Sequence, residues 1–308
     1  MHILEALTLS LKRRETVRAL PISPPNMTQG IHKILPDAAL AKIRHLVFDM
    51  DGTIYQGKTL FSYTKEAFSI FERCGVAYTY LTNNSSTSAR DYLEKIRRFG
   101  LNGSEENIYT SSLATLDYLH KTYPNVRSLY LLGTESLKRE FVEAGYRIIS
   151  EHDEDEPELV VVAFDTSMTY DRLCKAAWWV KQGKPYIATH PDAVCPTDLP
   201  TVLVDCGAVC DSIASATGRK PDRVLGKPDR SMIDGVMEKH GLAPGEIGMV
   251  GDRLYTDIEM ARLAGIVGVL VLSGEATLDD LKESHLDPEI VVDNILTLAR
   301  CIQKAKTV

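Results

Sequence analysis

The chain has 308 residues, 44% of them hydrophobic, and a formal net charge of −7. This length and hydrophobic content suffice for buried cores in about two domains. The acidic balance argues against nucleic acid as the main partner, and no segment is apolar over the length that a membrane span requires. We therefore expect a soluble protein without a nucleic-acid or membrane partner, whose substrate can still be a small anion.

Residues 1–44 are predicted to form an N-terminal extension. Residues 1–14 carry an apolar patch followed by three basic residues, which is the reverse of the order in a secretory signal. This pattern predicts a short amphipathic helix. Four prolines within residues 15–41 predict an extended or poorly ordered arm.

The cysteines indicate the compartment. The chain has six, and none of them shows C-x-x-C spacing. Free thiols in a reducing cytosol are the simplest explanation, so we expect a cytoplasmic protein. Cys206 and Cys210 are spaced as a helical pair, but partners that would complete a metal site are missing nearby.

A candidate site lies where an apolar run ends in two carboxylates. Residues 45–48 have the length and hydrophobicity of a buried strand, and Asp49, Asp51, Gly52 and Thr53 follow. In open α/β sheets, ligands bind beyond the carboxyl ends of such strands. Two carboxylates two residues apart on an extended chain can project to one side, where a cation relieves their repulsion. A divalent, oxygen-binding ion such as Mg²⁺ suits this pair.

Two more motifs supply hydrogen-bonding groups and a positive charge. Residues 76–81 form a second strand-like run, and it ends in residues 82–86, Thr-Asn-Asn-Ser-Ser. Much later, Lys227 stands between a glycine and a proline. Each motif alone is an ordinary turn or loop, so its meaning depends on the others.

The last motif brings two further carboxylates. Residues 247–250 form a third strand-like run, which leads into Asp252 and Asp257 before a helical pattern over residues 258–264. Both acids therefore follow a strand end, as Asp49 and Asp51 do. Four motifs in this arrangement are unlikely to meet by chance.

The distance between motifs predicts an inserted domain. Thr82 and Lys227 lie roughly 145 residues apart, far more than the loops of a simple α/β core need. The chain first continues the core with a helix over residues 87–99, a strand over 108–110 and an amphipathic helix. A β-α-β-α-β series then predicts an independent α/β unit with a largely parallel sheet, with strands at 129–133, 159–164 and 185–189 and helices at 137–144 and 170–182.

The four motifs, in this order, resemble the haloacid dehalogenase superfamily of phosphohydrolases. An α/β insert between the second and third motifs resembles the C2-capped type IIA branch, which includes the NagD-like and 4-nitrophenyl-phosphatase-like enzymes. The resemblance implies an α/β fold, with a Rossmann-like core, a parallel sheet and an inserted C2-type cap. The expected division is a first core part at residues 45–124, a cap at 125–221 and a second core part at 222–308.

The chemistry of phosphoryl transfer assigns roles to the core motifs. Asp49 is the expected nucleophile, since a carboxylate can attack phosphorus and carry an aspartyl-phosphate. Asp51 is the expected general acid and base, two residues away. Thr82 and Lys227 are expected to stabilise the phosphoryl oxygens. The backbone N–H groups of residues 83–84, Asn83 and Asn84, are expected to add to this substrate binding.

The same residues suggest how the expected cofactor, Mg²⁺, is bound. Asp49, the backbone carbonyl of Asp51 and Asp252 would hold the ion, and water would complete its shell. Asp257 is expected to support that shell. Arg253 has two open interpretations, contact with the substrate or an ion pair with a surface acid.

Two segments of the insert resemble cap elements of the family. Residues 189–192 resemble its Thr-Asn-Pro-Asp, with His190 in place of asparagine, and residues 205–208 resemble a loop lowered over the substrate. His190, Asp192 and Gly207 are therefore candidate substrate-binding residues. His190 is either a satisfied loop histidine or a contact to the leaving group whose charge changes near neutral pH. The Trp178-Trp179 pair is expected to pack rather than to stack on a ligand.

The expected function is a Mg²⁺-dependent phosphomonoester hydrolase that acts on a small phosphorylated metabolite. One alternative is a non-catalytic sensor of phosphorylated ligands on the same fold. Another is a metal-independent, dehalogenase-like hydrolase, against which Asp51, Asp252 and Asp257 argue. The sequence leaves the physiological substrate and the oligomeric state open, with a homodimer as one option.

Overall fold

The computed structural model describes residues 30–197 and 200–307. The predicted α/β fold class is confirmed: two mainly parallel sheets carry helices on their faces. The predicted helix over residues 1–14 lies outside the described residues. Among the helices described, none combines the length and hydropathy needed to cross a membrane.

The larger sheet has seven strands, and the strand that precedes Asp49 is central. His45–Phe48 pairs in parallel with Ile247–Gly251 on one side and with Ala77–Thr82 on the other. Across the sheet, the strands occur in the order Ile31–Lys33, Ile290–Val292, Val267–Val271, Ile247–Gly251, His45–Phe48, Ala77–Thr82 and Ile108–Thr110. Only the first pair is antiparallel.

Both faces of this sheet are buried, as expected for parallel strands between helical layers. Phe48 packs on one face against Phe68 and Phe71, with ring centroids 5.0 and 5.5 Å apart, while Val47 lies with Met249 on the other. Alternation along the strand explains the split. The helices of this part of the chain are Asp37–Leu40, Thr64–Arg73, Ala89–Arg98, Ser111–Thr122, Ser231–His240, Glu259–Ala264, Leu278–Glu283 and Ile295–Thr307, with a π-helix at Leu254–Ile258 and 3₁₀ turns at Glu105–Asn107 and Pro244–Glu246.

The smaller, five-stranded sheet comes from the inserted segment, except that its edge strand Arg223–Val224 lies just past the predicted limit at residue 221. Its strands occur in the order Arg223–Val224, Tyr186–Ala188, Leu159–Val162, Ser128–Leu132 and Arg147–Ile148, all parallel. Its helices are Glu135–Glu143, Tyr170–Lys181 and Cys206–Thr217. The β-α-β-α-β series is therefore present, although the exact domain limits stay a prediction. Two short hairpins complete the strands, Tyr55–Gln56 with Thr59–Leu60 and Val194–Cys195 with Leu203–Val204.

One helix packs against both sheets. Ser111–Thr122 buries Ala114 in a cluster with Val47 and Met249, and it buries Leu116 and Leu119 with the strands of the smaller sheet. Trp179 is buried in the smaller unit while Trp178 is exposed, as expected for packing rather than stacking.

Two predictions need correction. Residues 30–41 were predicted to belong to an extended or poorly ordered arm, but Ile31–Lys33 is a regular edge strand paired with Ile290–Val292, and Asp37–Leu40 is a short helix. Prolines disfavour regular structure locally, but here pairing and the burial of Leu40 prevail. Residues 206–208 are not a loop either, since Asp205 caps the helix Cys206–Thr217.

His45 makes fold stability depend on pH. Its side chain is buried, and its Nε2 lies 3.0 Å from the hydroxyl of Thr79. Burial, and then the neighbouring His240, lower the pKa of His45 to about 4. The unfolded chain, with an ordinary histidine pKa of about 6.5, therefore binds the proton more readily. Stability from this group is complete above about pH 6.5 and is lost as the pH falls toward 4.

We therefore expect His45→Gln, which cannot be protonated, to lose less stability than the parent between pH 6.5 and 4. The difference in the free energy of unfolding between the two proteins should shift by up to roughly 3 kcal/mol over that range. Urea denaturation at several pH values measures it. Parallel pH profiles for both proteins would contradict the assignment.

Candidate active site

Neighbouring strand ends bring the predicted core residues together. Asp49 follows the central strand, and its backbone N–H donates to the carbonyl of Val250 at 2.8 Å. Asp252 follows the strand on one side, and Thr82 ends the strand on the other. These residues are buried, with Asp49 the most accessible at 8%. The site therefore lies at the carboxyl edge of the larger sheet.

A tight turn after Asp49 brings Gly52 against Asp252. Gly52 has φ +85°, and a side chain here would collide with the carboxylate of Asp252. The hydroxyl of Thr53 lies 3.4 Å from Asp252, and Ser273 donates to the Gly52 carbonyl at 2.7 Å. Glycine is thus required here by both backbone conformation and space.

Asp257 enters the same site through a π-helix. Leu254–Ile258 adds a wide turn before the predicted helix, and Asp257 on it is fully buried. One carboxylate oxygen of Asp257 accepts the backbone N–H of Arg253 at 3.1 Å. π-helical turns occur often at functional sites, but residue pattern alone did not predict this one.

Lys227 lies between two of these carboxylates. Its ammonium group pairs with Asp49 and, at 2.7 Å, with Asp257. Burial alone would lower the pKa of Lys227, but attraction to Asp257 and Asp49 outweighs burial and raises it. Lys227 is therefore charged at any physiological pH.

The side chain of Asn83 holds the backbone of Lys227, a role that sequence reasoning missed. Its amide oxygen accepts the Lys227 N–H at 2.6 Å, and its amide nitrogen donates to the Lys227 carbonyl at 3.0 Å. The same nitrogen lies 3.2 Å from both carboxylate oxygens of Asp192. Asn83 thus joins three segments that are far apart in sequence.

The buried carboxylates of this cluster carry more negative charge than the ammonium group of Lys227 can balance. Oxygens of Asp49, Asp252 and Asp257 lie within 4.8 Å of one another. Burial, then Asp49 and Asp257, raise the pKa of Asp252 to about 8. Burial also raises the pKa of Asp257, to about 6, although Lys227 opposes the shift. An excess of buried negative charge made of oxygen ligands fits a hard divalent cation.

Asp51 lies beside this cluster in a partly open position. Its carboxylate accepts the N–H of Gly57 at 3.2 Å. Burial and the charge of Asp49 raise its pKa, and Lys95 opposes them. A raised pKa suits a carboxyl group that has to donate a proton.

The loop after Thr82 is tied to the inserted unit. The Thr82 hydroxyl accepts the N–H of Asn84 at 3.2 Å, so this N–H already has a partner. The Asn84 amide lies 3.6 Å from the Sγ of Cys195, on a hairpin of the insert. Ser85 Oγ lies 3.0 Å from the Thr189 hydroxyl, again across the two units.

The predicted cap residues His190, Asp192 and Gly207 lie close together but differ in solvent exposure. His190 has no exposed surface and lies between Asp192 and Asp205. Burial lowers its pKa to about 4, although Asp192 opposes the shift, and a role for His190 in substrate binding stays a prediction. Gly207 donates its N–H to the Asp192 carbonyl at 2.8 Å, and a side chain there would collide with the carbonyl of Pro191.

Arg253 pairs with an acid that the sequence did not single out. Its Nε lies 3.0 Å from Glu275, and its guanidinium reaches to 4.0 Å from Asp192. The backbone N–H of Glu275 also donates to Asp252 at 2.8 Å. No motif marks Glu275, because its loop reaches the site only through the fold.

Comparisons with known proteins agree with this geometry. A model for Haloacid dehalogenase-like hydrolase matches residues 46–147, and one for HAD-hydrolase-like proteins matches residues 224–298. The acid sugar phosphatase of Staphylococcus aureus is 31% identical over 242 residues, which cover 79% of this chain and 91% of that protein.

Solved structures give the same result. The 4-nitrophenylphosphatase of Thermotoga maritima superposes with a TM-score of 0.79 at 38% identity, covering 85% of this chain and 98% of that one. The glycerol phosphate phosphatase of Mycobacterium tuberculosis, in complex with magnesium, has a TM-score of 0.78 at 25% identity, covering 85% and 79%.

The chain therefore belongs to the haloacid dehalogenase-like hydrolases, in the group of NagD-like and 4-nitrophenyl-phosphatase-like proteins. Within that superfamily it is a phosphatase. The expected family resemblance is thus confirmed.

Gly52 provides a test of the crowding around Asp252. Gly52→Ala should destabilise the fold by more than Gly75→Ala. Gly75 also has positive φ, at +66°, but no atom lies within 4 Å of the place where its Cβ would stand. The control isolates the backbone cost of about 1–2 kcal/mol, and any excess measures the collision. Equal losses in urea denaturation would show that the turn has more room than described.

Proposed function

We propose that this protein is a Mg²⁺-dependent phosphomonoester hydrolase that works through an aspartyl-phosphate on Asp49. The observation that carries the proposal is the pairing of Asp49 with Lys227 inside a cluster of buried carboxylates. Lys227 would neutralise charge where phosphoryl oxygens would arrive.

The residues present fit a magnesium ion. Asp49 and Asp252 offer carboxylate oxygens, the backbone carbonyl of Asp51 is the proposed third ligand, and Asp257 supports the set. All these donors are oxygens, which Mg²⁺ prefers. When bound, the ion would neutralise charge on the phosphoryl oxygens and on the nucleophile.

Asp49 is the proposed nucleophile and Asp51 the proposed acid and base. Attack by the Asp49 oxygen on phosphorus breaks the bond to the ester oxygen, and Asp51 gives its proton to that leaving oxygen. Asp51, then ionised, takes a proton from the water that attacks the phosphorus of the aspartyl-phosphate. This step releases inorganic phosphate and restores both residues.

The remaining core residues would bind the phosphoryl group. The hydroxyl of Thr82 and the ammonium group of Lys227 are the proposed donors to its oxygens. Asn83 acts through Lys227, since it holds that residue's backbone from both sides. The N–H of Asn84 donates to the Thr82 hydroxyl and its side-chain oxygen accepts two bonds from Ser86, so Asn84 would fix the shape of this loop.

The leaving group would lie between Asp51 and the insert. Cys195, on a hairpin of the insert, lies with its Sγ 3.6 Å from the Asn84 amide, so the insert reaches the core loop at this point. Asp192 and the segment held by Gly207 border the same region, whereas His190 is shielded behind them. We propose a small phosphorylated metabolite as substrate, with sugar and polyol phosphates as the first classes to screen. All six cysteines are free, which suits the proposed cytoplasmic location.

The proposal predicts that Asp49→Asn abolishes turnover without unfolding the chain. An amide cannot attack phosphorus, so phosphate release from 4-nitrophenyl phosphate with Mg²⁺ should fall by at least about a thousandfold. The matched control is Asp279→Asn, on an exposed surface pair with Lys282, and it should keep parental activity.

Circular dichroism checks the fold of the variant, and mass spectrometry excludes deamidation back to aspartate. Steady turnover by intact Asp49→Asn would remove Asp49 as nucleophile. A parent protein that binds phosphate esters but releases no phosphate across a metabolite screen would favour the sensor alternative instead.

A further inference from the structure

A second cluster of metal-binding side chains lies on the insert, apart from the core carboxylates. One ligand atom from each of His190, Asp192 and Asp205 lies within 4.8 Å of the other two. His190 is fully buried, and neither of its ring nitrogens has a hydrogen-bond partner within the described ranges. Burial of an imidazole without partners is costly, so its ring nitrogens are suited to bind a ligand.

The distances from the ring nitrogens of His190 to the two carboxylates are longer than hydrogen bonds. They match the distance between two ligands of one metal ion. His190 Nε2 lies 3.4 Å from Asp205, and Nδ1 lies 3.7 Å from Asp192. Hydrogen bonds of this type prefer about 2.7–3.2 Å. Two ligands bound at about 2.0–2.2 Å to one tetrahedral ion stand roughly 3.4 Å apart.

The positively charged side chains near Asp192 and Asp205 do not occupy this cluster, so a cation can bind there. Arg253 is 4.0 Å from Asp192 but pairs more closely with Glu275, at 3.0 Å. Asp205 accepts the Cys206 N–H at 2.6 Å and has no lysine or arginine partner in the part of the chain that is described. Among the described residues, His190 is therefore the group that lies within ion-pair distance of Asp205.

We propose that His190, Asp192 and Asp205 bind a divalent transition metal of the zinc class. Imidazole nitrogen favours zinc, whereas the core cluster offers only oxygen and favours magnesium. Because Asn83 bonds both Asp192 and the backbone of Lys227, an ion here would link the insert to the core site. The proposal does not depend on the phosphatase mechanism, since metal binding is measured without turnover.

The test is isothermal titration of the full chain with Zn²⁺ in excess Mg²⁺, which occupies the core site. The parent protein and Asp252→Asn, altered only in the core cluster, should each bind one Zn²⁺ here. His190→Asn should bind Zn²⁺ at least about tenfold more weakly, since asparagine fills similar space without the imidazole nitrogen. Asp205→Asn, which still can cap its helix, should weaken binding as well.

Melting temperatures without Zn²⁺ show whether each variant is folded. If His190→Asn does not fold, Asp205→Asn provides the test of zinc binding in its place. Absence of Zn²⁺ binding by the parent would overturn the proposal. So would equal affinity in the parent and His190→Asn, or loss of the zinc site in Asp252→Asn, because the ion would then belong to the core cluster.

Discussion

Repulsion among buried carboxylates is the constraint on which this site depends. Asp49, Asp252 and Asp257 share a small buried volume with the single ammonium group of Lys227. Buried charges are tolerated only when they are paired, and Lys227 by itself does not balance three carboxylates. Burial, and then the charges of Asp49 and Asp257, raise the pKa of Asp252 to about 8, although Arg253 opposes the shift. The site is therefore prepared for a further cation.

The fold produces this crowding through strand order. His45–Phe48 lies between the strands that end near Asp252 and Thr82, so residues that are distant in sequence meet at one edge. Gly52 lets the turn after Asp49 approach Asp252 without a side chain in the way. Asn83 then fixes Lys227, which lies 144 residues later in the chain.

Much of the core site could be predicted from sequence because each residue follows a strand-like run. Asp49, Thr82 and Asp252 are placed by local pattern together with the general rule about strand ends. The side-chain role of Asn83 and the arrival of Glu275 could not be predicted, since both depend on long-range contacts. The burial of His190 was missed because its environment also includes Asp205 and Gly226, which are distant in sequence.

The most direct test of the charge argument compares the melting temperatures of the parent and Asp252→Asn with and without Mg²⁺. Without the ion, the variant should melt no lower than the parent, because it removes one of the repelling carboxylates. Addition of Mg²⁺ should raise the melting temperature of the parent and leave that of the variant nearly unchanged. If Mg²⁺ stabilises both proteins equally, or neither, the carboxylate cluster is not the metal site and the account is wrong.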